Sequence, residues 1–402
     1  MRIVTLSTSD RGGGAEQVAL SLFEAFQAQG HESWLVVGTR RGSDPRVVEL
    51  PSRGLWSLGL GVLDRLRGIE DFRFPGTALL AGLVGARPDI IHCHNLHGGY
   101  FDLRALRELA RVAPVALTLH DAWLLSGHCA HSFDCERWKI GCGQCPDLGI
   151  YPSVLRDATD LNWKRKQEIF QGLSLHVAAP SRFLLDKVPL SLLGPASRDT
   201  RLIPNGVDLA VFHPGPRSEA RARLGLPPDA RIALFAAKGV RQNPFKDFAT
   251  LREAARRLGS RKTLVIALGE AGPSEQLGET ELRFVSFRPG VADYYRAADL
   301  YLHAALADTF PSTVLEALAC GLPVIATAVG GIPEQIEDGA TGFLVPPRDA
   351  AAMAARAELL FNDPPLRSRL GAAAAETARK NFGIERCAAG YLRWFEQVSA
   401  NG

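Results

Sequence analysis

The chain of 402 residues contains no Asp-x-Asp triplet. The common device in which paired aspartates hold a metal against a diphosphate is therefore missing. It also lacks any run of lysine and arginine interleaved with aromatics, and Lys+Arg 46 against Asp+Glu 43 leaves a formal net charge of only +3. That mild bias excludes the broad basic face of a nucleic-acid binder, and no nucleic-acid-binding motif is present. No uninterrupted apolar stretch reaches the roughly 18 residues of a membrane-spanning helix. "MRIVTLST" enters an apolar run at once, with no charged leader region or small-residue cleavage site, so the expectation is a cytoplasmic protein. One segment, "GLWSLGLGVLDRLRG" (54–68), mixes Trp56, Leu58, Leu60, Leu63 and Leu66 with Arg65 and Arg67. It reads first as a helix covering its own core. The second reading is an interfacial helix making peripheral contact with the inner membrane surface.

What is present is ordinary for a soluble globular chain: 46% hydrophobic and 22% charged residues, 39 Gly and 25 Pro. The length predicts two or three domains, each able to bury a core. The first half alternates short apolar strands with helices. "RIVTLST" leads through a glycine turn, "DRGGGAEQ", into the amphipathic "VALSLFEAFQAQG" and then the strand "ESWLVVG". "PDIIHCHN", "PVALTLHD" and "SLHVAAPS" follow as buried-strand runs. The second half repeats the plan with "RIALFAAKG", "KTLVIALGE", "LRFVSFRP", "LYLHAA" and "PVIATAV". Such alternation indicates parallel sheet with crossover helices. Pro and Gly punctuation in "PNGVDLAVFHPGPRSEARARLGLPPDA" reads as a linker. The divisions expected are 1–208, 209–380 and a final helix, 381–402, packing back toward the first domain. The α/β class follows, as two doubly wound domains facing a central ligand cleft.

Gly12, Gly13 and Gly14 stand between the first strand and first helix, where bare backbone and a helix N-terminus suit a diphosphate. The stretch is not G-x-G-x-x-G, and "VVGTRRG" at the end of the second strand lacks an acid for a ribose, so a plain tight turn stays open. "DTFPSTVLE" (308–316) is more informative. A helix begins near Ser312 or Thr313 after Pro311, and the N–H groups of Ser312, Thr313 and Val314 suit phosphate oxygens. Glu316 lies where it can accept from a vicinal diol such as ribose, and Asp308 sits upstream, suited to sugar hydroxyls. The alternative is a loop acid and a solvated helix glutamate.

The stretch "DTFPSTVLEALACGLPVIATAVGGIPEQIEDGATGFLV" closely resembles the C-terminal signature of the retaining glycosyltransferases of family 4, whose fold is GT-B. "GGGAE", "TLHD" (118–121), "APSRFL" (179–184) and "IPNGVD" (203–208) extend the resemblance over nearly the whole chain. It implies two Rossmann-like domains and transfer of a sugar from a nucleoside-diphosphate-sugar donor to an acceptor hydroxyl, in glycan, polysaccharide or glycolipid synthesis. It implies that Asp308 binds donor-sugar hydroxyls and Glu316 the ribose, with backbone groups of Phe310, Pro311 and Ser312 on the sugar and those of Thr313 and Val314 on the phosphates. Gly13 and Gly14 fall on the donor side, and His120 on the donor sugar. Most members carry Glu where this chain has Asp308, one methylene shorter, which implies altered sugar preference. Arg241 and Lys246 in "VRQNPFKD" match the cations beside the diphosphate, though Lys238 lies nearer the strand end and could replace Arg241. Two cations there would stabilise the leaving charge without a catalytic metal. The acceptor stays open among a saccharide, a lipid-linked glycan and a small molecule. A GT-B epimerase or phosphorylase, or a non-catalytic nucleotide-sugar binder, are the rival readings.

"GHCAHSFDCERWKIGCGQCPDL" (127–148) gathers Cys129, Cys135, Cys142 and Cys145, four of the seven cysteines. The segment resembles the Cys-rich insert that a subset of the family carries after HDxW. Clustered thiols in a reducing compartment favour a structural zinc on these four. Reduced or disulfide-paired cysteines and a redox or Fe–S role are the alternatives.

Overall fold

The computed structural model describes residues 1–51, 55–83, 85–259, 262–287 and 289–400, with side chains placed for all of these except 55–58, 81 and 83. Two compact units divide the chain: Met1–Pro204 with Cys387–Gly402, and Asn205–Arg386.

The first unit is built on seven strands: β1 (Arg2–Ser9), β2 (Glu32–Thr39), β3 (Val47–Glu49), β4 (Ile90–His94), β5 (Val115–Thr118), β6 (Leu175–Ala179) and β7 (Ser197–Leu202). They lie in the order β3-β2-β1-β4-β5-β6-β7 and all pair in parallel. Strand order reverses between β1 and β4, and ligands of such sheets bind beyond the carboxyl ends at that point. The glycine turn after Ser9 and the residues after His94 emerge there. In the second unit β8 (Arg231–Ala236), β9 (Thr263–Leu268), β10 (Glu275–Leu277), β11 (Thr280–Val285), β12 (Leu300–His303), β13 (Val324–Thr327) and β14 (Gly342–Val345) follow the order β10-β11-β9-β8-β12-β13-β14. Only β10 is antiparallel. Its reversal lies between β8 and β12, whose carboxyl ends feed residues 237–247 and 304–311.

Strands covered on both faces read as continuous apolar runs, and β8, β9, β12 and β13 are buried almost throughout. Leu6, Val36, Ile91 and Leu117 pack in one core and Leu234, Ile266 and Val324 in another. Each such side chain stabilises its unit by about 1.5–3 kcal/mol relative to exposure.

Three differences from the sequence reading have physical causes. The stretch read as a linker holds the helix Arg217–Leu224, whose buried Arg221 reaches Asp299 at 3.0 Å and the Ala297 carbonyl at 2.9 Å. An alanine-rich helix, Pro364–Asn381, follows a side-chain cap by Asp363. The segment 54–68 does form a helix, Leu55–Leu66, but it does not cover the core with its leucines. Leu60, Leu63 and Leu66 are 48%, 48% and 53% exposed; the side chains of Trp56 and Leu58 lie outside the described residues.

Candidate functional site

In the second unit, the residues after β12 and the helix Ser312–Ala319 form a compact polar cluster. Asp247 N donates to the Ala304 carbonyl at 3.1 Å and Leu306 N to that of Phe245 at 2.9 Å. This short zipper brings Lys246 against Asp308, whose Oδ2 takes the Lys246 ammonium. His303, fully buried at the end of β12, places Nε2 3.2 Å from the same oxygen and 3.4 Å from Lys246 Nζ. Burial would raise the Asp308 pKa, but the Lys246 ammonium and the His303 hydrogen bond together outweigh it and hold this carboxyl well below the usual range. Burial and then Lys246 push the His303 pKa down to about 4, so His303 is neutral near pH 7.

The Asp308 carbonyl accepts from Gly331 N at 3.1 Å, and a Cβ on Gly330 (φ +58°) would stand 1.8 Å from that oxygen. Only glycine fits there, which gives the "GG" of the signature its reason. Asn205 Nδ2 donates to the Phe310 carbonyl and Gln335 Nε2 to the Pro311 carbonyl, both at 3.1 Å, fixing the turn. No side chain caps Ser312–Ala319. The N–H of Val314 is taken by the Pro311 carbonyl at 3.2 Å, which corrects the expectation that it stands free. Those of Ser312 and Thr313 have no partner among the described residues, so the helix presents two donors and its positive dipole end. One turn on, Glu316 Oε2 accepts from Tyr295 OH at 2.5 Å. Burial drives its pKa up to about 7, against the smaller opposing effect of that hydrogen bond.

Arg241 is already committed. Its Nε lies 2.7 Å from Glu270 Oε1, its backbone N 3.0 Å from Oε2, and its guanidinium stacks 4.8 Å from the Phe284 ring centre. Lys238 is exposed. Arg241 and Lys246 nonetheless line one cavity with Arg252 and Arg256.

In the first unit, Gly13 N donates to Glu16 Oε2 at 2.9 Å, so the helix head is met by its own carboxylate. A Cβ at Gly14 would find nothing within 4 Å, and no contact within the chain demands glycine there. His120 follows β5, with Nε2 2.7 Å from His94 Nδ1. Beside it, Asp121 Oδ2 pairs with His97 Nε2 at 2.8 Å. Burial disfavours the charged His97 ring, but the carboxylate outweighs it and raises the pKa. His97 opens onto a cavity of about 400 Å³ with Phe72, Trp123 and Tyr151 on its walls and Glu70, Asp71 and Arg65 at its polar positions.

The cysteine segment follows β5 and lies over the first unit's core. Among the described residues no three His, Cys, Asp or Glu side chains converge to hold a metal ion. Cys129, Cys135, Cys142 and Cys145 are free thiols. Cys142 Sγ accepts from Gly127 N and Cys145 Sγ lies by His128 Nε2, each at 3.3 Å. Burial pushes the Cys142 thiol up to about 12. The segment is braced by Lys166, whose buried Nζ meets the Trp123 and Ser126 carbonyls at 3.0 and 3.1 Å and Glu70 at 2.9 Å.

Sequence reasoning missed His303, Tyr295, Asn205 and Gln335. Asn205 and Gln335 stand inside the quoted stretches "IPNGVD" and "GGIPEQ", which was the available signal. His303 and Tyr295 act through spatial neighbours that spacing does not reveal.

Residues 12–211 match the family described as Glycosyltransferase Family 4, and residues 216–377 match Glycosyl transferases group 1. D-inositol 3-phosphate glycosyltransferase 1 of Catenulispora acidiphila is 31% identical over 313 residues, spanning 72% of this chain and 68% of that protein. The chain belongs to the family 4, group 1 glycosyltransferases. The D-inositol 3-phosphate glycosyltransferase of Mycobacterium bovis is 34% identical over 368 residues, 84% of this chain and 68% of that one. Others of that name, from Streptomyces, Kribbella and Frankia, are matched over only 43% to 52% of their own length. In fold, this glycosyltransferase is similar to sucrose-phosphate synthase from Thermosynechococcus elongatus (TM-score 0.72, 22% identity, 100% of both chains). It is also similar to Anabaena HepE in complex with UDP-glucose (TM-score 0.71, 19% identity, 99% of this chain and 100% of that one). The fold is GT-B, two Rossmann-like domains.

Proposed function

We propose that this glycosyltransferase moves a hexose from a nucleoside-diphosphate donor to an acceptor hydroxyl with retention of configuration and without a catalytic metal. The observation that carries the reading is the turn 308–316, with two acids on either side of an uncapped helix start and a lysine on the first acid. In this reading Asp308 accepts from donor-sugar hydroxyls, Ser312 and Thr313 donate to phosphate oxygens, and Glu316 accepts from the ribose. Lys246 supplies positive charge to the leaving diphosphate, where electrostatic stabilisation contributes most. Arg241 is secondary, because it must first leave Glu270. Gly13 and Gly14 give the donor close access to backbone, and His120 meets the sugar. The C1–O bond to the diphosphate breaks as a bond from C1 to the acceptor oxygen forms on the same face. The acceptor proton passes to the departing phosphate oxygen.

The aromatic cavity of the first unit suits an acceptor saccharide ring, stacked on Trp123 or Tyr151 with carboxylates for its hydroxyls. The exposed leucines of Leu55–Leu66, next to Arg65 and Arg67, support contact with an anionic lipid surface and hence a lipid-linked acceptor. The HDxW segment with its cysteines supports membership of the Cys-rich subset of the family.

The test is transfer from labelled UDP-, GDP- and ADP-hexoses to a saccharide acceptor panel, with product anomers read by NMR. Retained anomers, and a loss of about 100-fold or more in kcat for Lys246→Ala, are expected. An inverted product would overturn the stereochemistry, and full activity of Lys246→Ala the electrostatic role.

A further inference from the structure

His120 is the last member of a hydrogen-bonded chain that runs through the core of the first unit. β4 and β5 pair in parallel with His92 opposite Ala116 and His94 opposite Thr118. Tyr391, from the helix Ile384–Ala400, places its hydroxyl 3.0 Å from Thr118 Oγ1. Thr118 Oγ1 lies 2.7 Å from His92 Nε2, His92 Nδ1 3.3 Å from His94 Nε2, and His94 Nδ1 2.7 Å from His120 Nε2. Tyr391, Thr118, His92 and His94 are each at most 2% exposed, whereas His120 is only half-buried.

Hydrogens can be counted along this chain. Burial lowers the pKa of all three imidazoles, His92 to about 3 and His120 to about 4, so each ring carries one N–H at neutral pH. Five groups then bring five hydrogens to four contacts. One hydrogen is left over, and it must point out of the chain at Tyr391, at Thr118 or at His120. Neither hydroxyl has another partner among the described residues. A donor left unpaired in the core is disfavoured, whereas His120 is partly exposed and its Nδ1 is not among the buried unpartnered atoms, so an N–H there can meet water or a ligand. The arrangement that satisfies every buried group therefore runs one way. Tyr391 donates to Thr118, Thr118 to His92, His92 Nδ1–H to His94, and His94 Nδ1–H to His120 Nε2.

We propose that this chain fixes His120 in the Nδ1–H tautomer, so that it meets its ligand as a hydrogen-bond donor, with His94, His92, Thr118 and Tyr391 as positioning residues. That the ligand is the donor sugar rests on the function proposed above; the tautomer does not. His120 then has no free nitrogen lone pair and cannot serve as a base without breaking the chain. It donates to a sugar or phosphate oxygen from a ring whose orientation is set in advance.

The test uses the full chain labelled with 15N-histidine, read by long-range 1H–15N correlation at pH 7, with His120→Gln to assign the signal. The expected result is protonated Nδ1 and unprotonated Nε2 at His120. His94→Phe should shift His120 toward the Nε2–H form and lower kcat about tenfold, the size of one lost hydrogen bond. His94→Gln, which keeps an N–H donor, should restore both. An Nε2–H or doubly protonated His120 in the wild type would overturn the proposal whether or not transfer is ever detected. So would an Nδ1–H form that persists unchanged in His94→Phe.

Discussion

Glu316 and Asp308 are both acids beside one helix start, yet their surroundings drive them apart. The Lys246 ammonium keeps Asp308 ionised, while Glu316 has only a tyrosine hydroxyl and titrates near 7. In the free protein, the contribution of Glu316 to stability is fully present below about 4.5 and lost as pH rises through about 7, because the native state keeps a proton the unfolded chain has released. Nucleotide binding has the opposite sign. In the proposed site a ribose diol would donate to the carboxylate, so affinity should rise by up to about tenfold per pH unit below 7 and level off above it. Calorimetric titrations of the nucleotide from pH 5.5 to 8 check this, and Glu316→Gln should flatten the profile. A wild-type profile flat over that range would mean that Glu316 does not accept from the ligand. Asp308 was visible as an acid of shortened reach. That Lys246 sits on it, and His303 beneath it, depends on the pairing of residues 245–247 with 304–306, which no local pattern encodes.

At the scale of elements, the ten buried strands were legible because a strand covered on both faces is an apolar run bounded by turns. The four strands that went unread are β3, β7, β10 and β14. β3 and β10 have three residues each, and β7, "SRDTRL", has no buried position in its pattern. β14, "GFLV", sits inside the family signature and has only four residues. The cysteine segment was legible as a cluster but not as to what holds it. The buried Lys166 does so from the helix Thr159–Phe170, and lysine on an otherwise polar helix gives no hint of burial. Lys166→Met strands Glu70 and two carbonyls without their partner, and should cost about 3–5 kcal/mol in urea denaturation. A change below 1 kcal/mol would show that the segment stands without it. The helix Leu55–Leu66 invites a separate measurement. Sedimentation with vesicles containing anionic lipid should capture the protein, and paired Leu63→Asp and Leu66→Asp changes should release it. No capture at low salt would remove the membrane contact.

The chain repeats one architectural plan, with the candidate site residues placed each time beyond the carboxyl ends at the reversal of strand order. In the second unit those ends deliver Lys246 and Asp308; in the first, the glycine turn and the histidines. The terminal helix belongs to the same economy, since from Cys387 onward it is part of the first unit and contributes Tyr391, Trp394 and Phe395 to its interior. Trp394 Nε1 donates to Asp199 at 2.8 Å and Phe395 packs on Phe26. The proposed function rests on the turn 308–316 binding a nucleoside diphosphate through phosphate donors and a ribose acceptor. Isothermal titration of UDP, GDP and ADP, alone and with their common sugars, into wild type and Glu316→Ala tests it most directly. Selective binding of one nucleotide is expected, weakened about tenfold or more in Glu316→Ala. Binding of none of them, or equal binding by both proteins, would contradict it.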